Sequence, residues 1–134
     1  MKLIFSFLLT FSLGLGLLSA QDNADSTETS GPEITFESTT IDYGTIERGA
    51  NGVRVFKFTN TGTEPLIITN TRGSCGCTVP KHPKDPILPG QTEEIEVKYD
   101  TNRLGKINKS VTVSTNAGNP VRLQIKGEVT KSSE

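Results

Sequence analysis

Toward its C-terminus the chain alternates apolar and polar residues with a period of two. Ile95, Val97 and Tyr99 interleave with Glu94, Glu96 and Lys98, and Val111 and Val113 with Ser110, Thr112 and Ser114. Val121, Leu123, Ile125 and Val129 then interleave with Arg122, Gln124, Lys126 and Glu128. Successive side chains of an extended strand point to opposite faces, so each run predicts a strand with one dry and one wet side. Asn116–Pro120 (NAGNP), rich in turn formers, predicts a hairpin connection between the last two. Weaker runs come earlier: Glu33–Glu37, Ile41–Ile46, Val53–Thr59, Leu66–Arg72 and Thr78-Val79. Asn60-Thr61-Gly62 reads as a turn, and Pro86–Gly90 (PILPG) as a rigid turn before a Gln91–Tyr99 strand. With 13 Gly and 7 Pro punctuating every segment, no helical run survives. About seven short strands at this spacing predict an all-β, immunoglobulin-like antiparallel β-sandwich over residues 32–130, with 131–134 as a C-terminal tail.

The start of the chain has a different texture. Lys2 is the only charge before Asp22, and an apolar run fills Leu3–Leu18 before Ser19-Ala20-Gln21. A basic start, an apolar stretch and a small residue ahead of a polar one predict a signal peptide over 1–20, cut after Ala20. The run falls short of the ~20 residues that cross a bilayer, so no membrane span is expected after cleavage. No Cys lies near the junction to carry a lipid anchor. The expected product is exported, either periplasmic or secreted. Residues 21–31 (QDNADSTETSG) hold one apolar residue, Ala24, and predict a flexible linker. Within it Asp25-Ser26-Thr27 resembles an O-glycosylation acceptor of some bacteria, which makes Ser26 and Thr27 candidates.

After that cut, 13 basic side chains face 15 acidic ones, a net charge of −2. Nucleic acid requires a clustered cationic surface, so no nucleic-acid partner is expected.

The chemistry worth weighing is Ser74-Cys75-Gly76-Cys77-Thr78, which contains both cysteines. Alternate residues of a strand lie about 6.6 Å apart between Cα atoms, whereas a disulfide takes about 4.4–6.8 Å. A Cys75–Cys77 bridge therefore needs a bend, for which Gly76 is the freest residue. It closes a ring of only three residues, so the chain-entropy relation yields about 1.6 kcal/mol, against roughly 3–5 kcal/mol for a bridge between distant strands. Three readings are open: a local clip, an exchangeable redox disulfide, or two thiolates for a soft metal. The metal reading is short of ligands, because His82 is the only histidine and the only methionine is Met1. His82 itself, between Lys81 and Pro83, reads as an exposed loop residue. No cofactor is expected.

The string GSCGCTVP, with Asn60-Thr61-Gly62 before it, Leu88-Pro89-Gly90 after it and Gly127-Glu128-Val129 at the close, resembles an exported bacterial family catalogued as domain of unknown function 1573. Its Cys-x-Cys-Thr-x-Pro signature falls on Cys75, Cys77, Thr78 and Pro80, and the resemblance spans roughly Pro32 to Val129. That family is similar to Hydin-type, major-sperm-protein-like and PapD-like domains, which implies an immunoglobulin-like fold and binding roles, and no activity.

Catalytic signatures are missing: there is no Gly-x-Ser-x-Gly elbow, His-Glu-x-x-His helix, phosphate-binding glycine loop or dinucleotide fingerprint. Glu94 and Glu96 share the wet side of one strand and read as solubilising charges. The sequence thus predicts a non-catalytic, exported interaction module that takes an envelope or extracellular protein or glycan, through a sheet edge or the Cys75–Pro83 loop. Thiol-redox or soft-metal chemistry at the Cys-Gly-Cys motif is the alternative.

Overall fold

A computed structural model describes residues 31–133. The expected signal peptide with Ala20, and all of the linker but Gly31, with Ser26 and Thr27, lie outside the described residues. Eight strands follow one another: β1 (Ile34–Phe36), β2 (Thr40–Glu47), β3 (Val53–Asn60), β4 (Ile68–Gly73), β5 (Thr78–Lys81), β6 (Thr92–Tyr99), β7 (Gly105–Thr115) and β8 (Val121–Thr130). They form two four-stranded sheets, ordered β1-β3-β6-β5 and β2-β8-β7-β4. The immunoglobulin-like sandwich expected from the period-two pattern is what the chain forms.

The alternating residues turn inward as a set. Phe56, Phe58, Ile95 and Val97 of the first sheet meet Ile107, Val111, Val113, Leu123, Ile125 and Val129 of the second, all at most 2% exposed. Removing side chains of this size from water stabilises by about 1.5–3 kcal/mol each. Their polar neighbours on β6 and β8, such as Glu94, Glu96, Arg122 and Gln124, stay exposed.

Two details go beyond the sequence pattern. The N-terminal run splits at Ser38, whose hydroxyl donates to Thr40 O at 2.8 Å and accepts from Thr40 N–H at 3.3 Å. Before the kink β1 lies antiparallel to β3; after it β2 joins the other sheet, parallel to β8. Alternation reveals which face is dry but not which strand lies alongside. The PILPG segment is a turn with a core residue inside it. Ile87 is 1% exposed and exchanges two 2.8 Å backbone hydrogen bonds with Leu66.

β2 and β8 approach closely where β2 bulges between Asp42 and Thr45. Gly44 there has φ +66°, and a Cβ on Gly127 opposite would lie 2.7 Å from Gly44 O, so both positions require glycine.

One polar side chain organises the end of β3. Asn60 is fully buried; its Nδ2 donates to Glu64 O and Ile87 O, both at 2.8 Å, and its Oδ1 accepts from Gly62 N–H at 3.0 Å. Its own N–H donates to Gln91 O, and its carbonyl accepts from Gly90 N–H. The predicted Asn60-Thr61-Gly62 turn is therefore tied by one amide to the Ile87 segment and the lead into β6.

Candidate functional site

The two cysteines occupy the crossover between sheets. β4 is an edge of the second sheet and β5 an edge of the first, and residues 74–77 carry the chain from one to the other. The sulfurs of Cys75 and Cys77 lie in bonding contact, with their Cα atoms 5.2 Å apart. Cys77 is 6% exposed and belongs to the core, while Cys75 is half-buried against it. Cys77 N–H points at Cys75 Sγ at 3.2 Å, and Thr78 Oγ1 lies 3.7 Å from Cys77 Sγ and 4.0 Å from Cys75 Sγ. Thr78 N–H closes the turn on Cys75 O at 3.2 Å.

The bend does not depend on Gly76, contrary to the expectation from sequence. Gly76 has no positive φ, and a Cβ there would meet nothing within 4 Å. The glycine the crossover requires is Gly73, where a Cβ would collide with the Thr78 carbonyl oxygen. Close approach of the β4 end to the β5 start produces the bend.

Pro80, the last residue of the motif, blunts the β5 edge. Asp100 N–H donates to Cys77 O at 2.9 Å, so Cys77 and Asp100 form a bonded pair. Alternation along an antiparallel ladder then turns Val79 and Lys81 toward β6, and Thr78 and Pro80 outward. Thr78 N–H is taken by the turn, and Pro80 has none, so this edge presents only acceptors from Thr78 to Lys81. Strand addition at β5, one of the edges open to a partner, loses the donors it requires.

Beside the crossover lies an open groove of about 340 Å³ lined by Gly76, Cys77, Val79, Lys98, Asp100 and Asn102. Val79 is 57% exposed there, on the wet side of the first sheet.

His82 follows β5 and is half-buried, not the exposed loop residue expected from its neighbours. Its Nδ1 is 2.7 Å from Thr71 Oγ1 of β4, and its Nε2 is 3.4 Å from Lys84 Nζ. Burial, and secondarily the Lys84 charge, hold its pKa below the ordinary imidazole value. Both ring nitrogens are thus engaged away from the sulfurs. Among the described residues no three His, Cys, Asp or Glu side chains come together as a metal site. Glu93, Glu94 and Glu96 line a different open groove, with Val55, Lys81, His82 and Pro83.

Comparison with known proteins agrees with this architecture. A family model described as "Protein of unknown function (DUF1573)" matches residues 34–129, in accord with the resemblance carried by the Cys-x-Cys-Thr-x-Pro motif. The fold is similar to that of a protein of unknown function from Porphyromonas gingivalis W83, with a TM-score of 0.65 at 17% identity over 76% of this chain and 49% of that one. The chain thus spans about half the length of that protein. It is also similar to the ASH / PapD-like domain of human CEP192, with a TM-score of 0.63 at 10% identity over 75% of this chain and 87% of that one. The E. coli chaperone DraB is similar with a TM-score of 0.52 at 13% identity, over 75% and 56% of the two chains. No curated protein matches the sequence.

Proposed function

Because the chain belongs to the DUF1573 family of proteins of unknown function, we propose that it is an exported, non-catalytic interaction module. Its recognition element is the crossover groove beside Cys75–Cys77, and it is delivered to the periplasm or beyond by the N-terminal signal. The observation that carries the reading is Val79. An apolar side chain 57% exposed, set on a rigid strand beside a pinned turn, is the kind of anchor a protein partner covers. The Cys75–Cys77 pair serves as a clip that holds the groove wall in place. The fold it shares with a PapD-like domain and a chaperone supports a binding role rather than a chemical one.

One observation favours thiol exchange as a second reading: Cys75 is half-buried and open to attack, while Cys77 is in the core. The reduction potential separates the two, since a clip resists the glutathione pool and an exchange disulfide has a potential near those of oxidoreductases.

The test is site-specific photocrosslinking in the native envelope from position 79, with position 45 on β2 as control. A discrete adduct from 79 that is absent from 45, and is lost when Lys98 and Asn102 are changed to Glu, is the expected result. Equal labelling from both positions would remove the groove as the binding element.

A further inference from the structure

The geometry points to a second ligand surface, on the outer face of the β2-β8-β7-β4 sheet, that holds an anionic saccharide chain through Arg72 and Arg122. It lies on the opposite side of the sandwich from the crossover groove and does not rest on that reading.

Strand register builds the surface. Thr112 of β7 faces Arg72 of β4 on one side and Arg122 of β8 on the other. The three exposed side chains form one row, with the arginines two strand spacings apart, about 9–10 Å. In the next row Ser110 faces Gln124. Ser74 is locked beside it: Ser74 Oγ accepts from Ser110 N–H at 3.1 Å, and Ser74 N–H donates to Ser110 O at 2.8 Å. Two shallow grooves of about 430 and 310 Å³ meet here and share Ser74, Ser110 and Arg122.

The charge is segregated. Elsewhere on this sheet Lys126 faces Asp42 and Lys106 faces Glu128, so both of these lysines have a carboxylate across from them. The two arginines have none in their row, and no carboxylate lines either groove. This acid-free strip stands on a chain whose net charge is −1. Like charges sharing one row do nothing to favour the sheet.

The lining selects the ligand. Guanidinium groups bind carboxylate or sulfate oxygens two at a time. The serine, threonine, asparagine and glutamine side chains between them match sugar hydroxyls. Neither groove is lined by an apolar or aromatic side chain, the anchor that protein partners use. A flat strand face fixes the positions of these groups more closely than a loop would.

The test uses the processed exported protein and two probes, a sulfated heparin hexasaccharide and a galacturonate hexasaccharide, followed by calorimetry and by backbone amide shifts. Expected are saturable shifts at Arg72, Thr112 and Arg122, with affinity that weakens as salt is raised. Arg72→Gln with Arg122→Gln should weaken binding at least ~tenfold, given that each charged hydrogen bond lost is worth about that factor. Lys57→Gln with Lys131→Gln, exposed and outside both grooves, should leave it unchanged. Tighter binding of one probe identifies the anion as sulfate or carboxylate. No binding of either probe at millimolar concentration, undiminished binding by the doubly substituted arginine protein, or equally tight binding of an oligoglutamate peptide would each overturn the inference.

Discussion

Replacing Asn60 probes whether one buried amide holds the end of β3, the 61–65 turn and the Ile87 segment together. Asn60→Ala removes three short hydrogen bonds, to Glu64 O, Ile87 O and Gly62 N–H, and a long one from Glu33 N–H at 3.5 Å that adds little. At about 1 kcal/mol each, the expected loss is about 3 kcal/mol. The damage is bounded, because Ile87 O keeps its bond from Leu66 N–H and the Glu64 carbonyl lies near solvent. For a domain of this size that corresponds to a fall in Tm of roughly 12–24 °C. Asn60→Asp is the sharper variant, since it keeps the shape and replaces the donor with an oxygen facing two carbonyl oxygens. Burial and these oxygens would raise the new carboxyl's folded pKa above its unfolded value of about 3.9. Its protonated form is then the one the fold accepts, so its share of stability is present at low pH and lost as pH rises through that value. Urea melts at pH 4 and pH 7 read this directly: relative to the parent protein, Asn60→Asp should be less impaired at pH 4. Losses under 1 kcal/mol for both variants, with no dependence on pH, would refute the reasoning.

Three further outcomes follow from the crossover and its neighbours. Reducing the Cys75–Cys77 bridge should cost at most about 1.6 kcal/mol in urea melts, because the ring has three residues, and the protein should remain folded. Gly73→Ala should destabilise by about 2 kcal/mol or more through its collision with the Thr78 carbonyl, while Gly76→Ala should stay within about 0.5 kcal/mol in the same melts. His82 has a folded pKa below its unfolded value of about 6.5, so the fold prefers it neutral. Its contribution is complete above that value and declines as pH falls through about 6.5 toward the folded pKa; chemical melts between pH 5 and 7.5 should show this slope, and His82→Gln should flatten it.

The sandwich was legible because its inward residues follow one rule along most of three strands, with Val121 at the start of β8 only half-buried. Ile95, Val97 and Tyr99, Val111 and Val113, and Leu123, Ile125 and Val129 are all buried, and period two is a property of the backbone itself. Where several forces compete, the sequence reads less clearly. Ile87, flanked by prolines, has the local texture of a turn, and only its distant partner Leu66 makes it core. Asn60 belongs to a turn by composition; that it is buried depends on carbonyls brought to it from residues 64 and 87. His82 next to two lysines and a proline looks exposed until β4 supplies Thr71. At the crossover, Gly76 drew attention because it lies between the cysteines, yet the close approach falls at Gly73, which the motif does not mark. The row formed by Arg72, Thr112 and Arg122 was invisible for a related reason: Arg72 joins Thr112, 40 positions on, only once register is known.

The parallel union of β2 with β8 places the first long strand beside the last, with Ile41 against Ile125. Such a joint cannot form until β8 is available, since β8 supplies its second half. Until β8 forms, β2 has no neighbour in its sheet, and Ile41 and Ile46 have no completed core to pack against. Completion of the second sheet is therefore gated by β8, and a chain cut short within β8 would lose its first sheet-two strand along with its last.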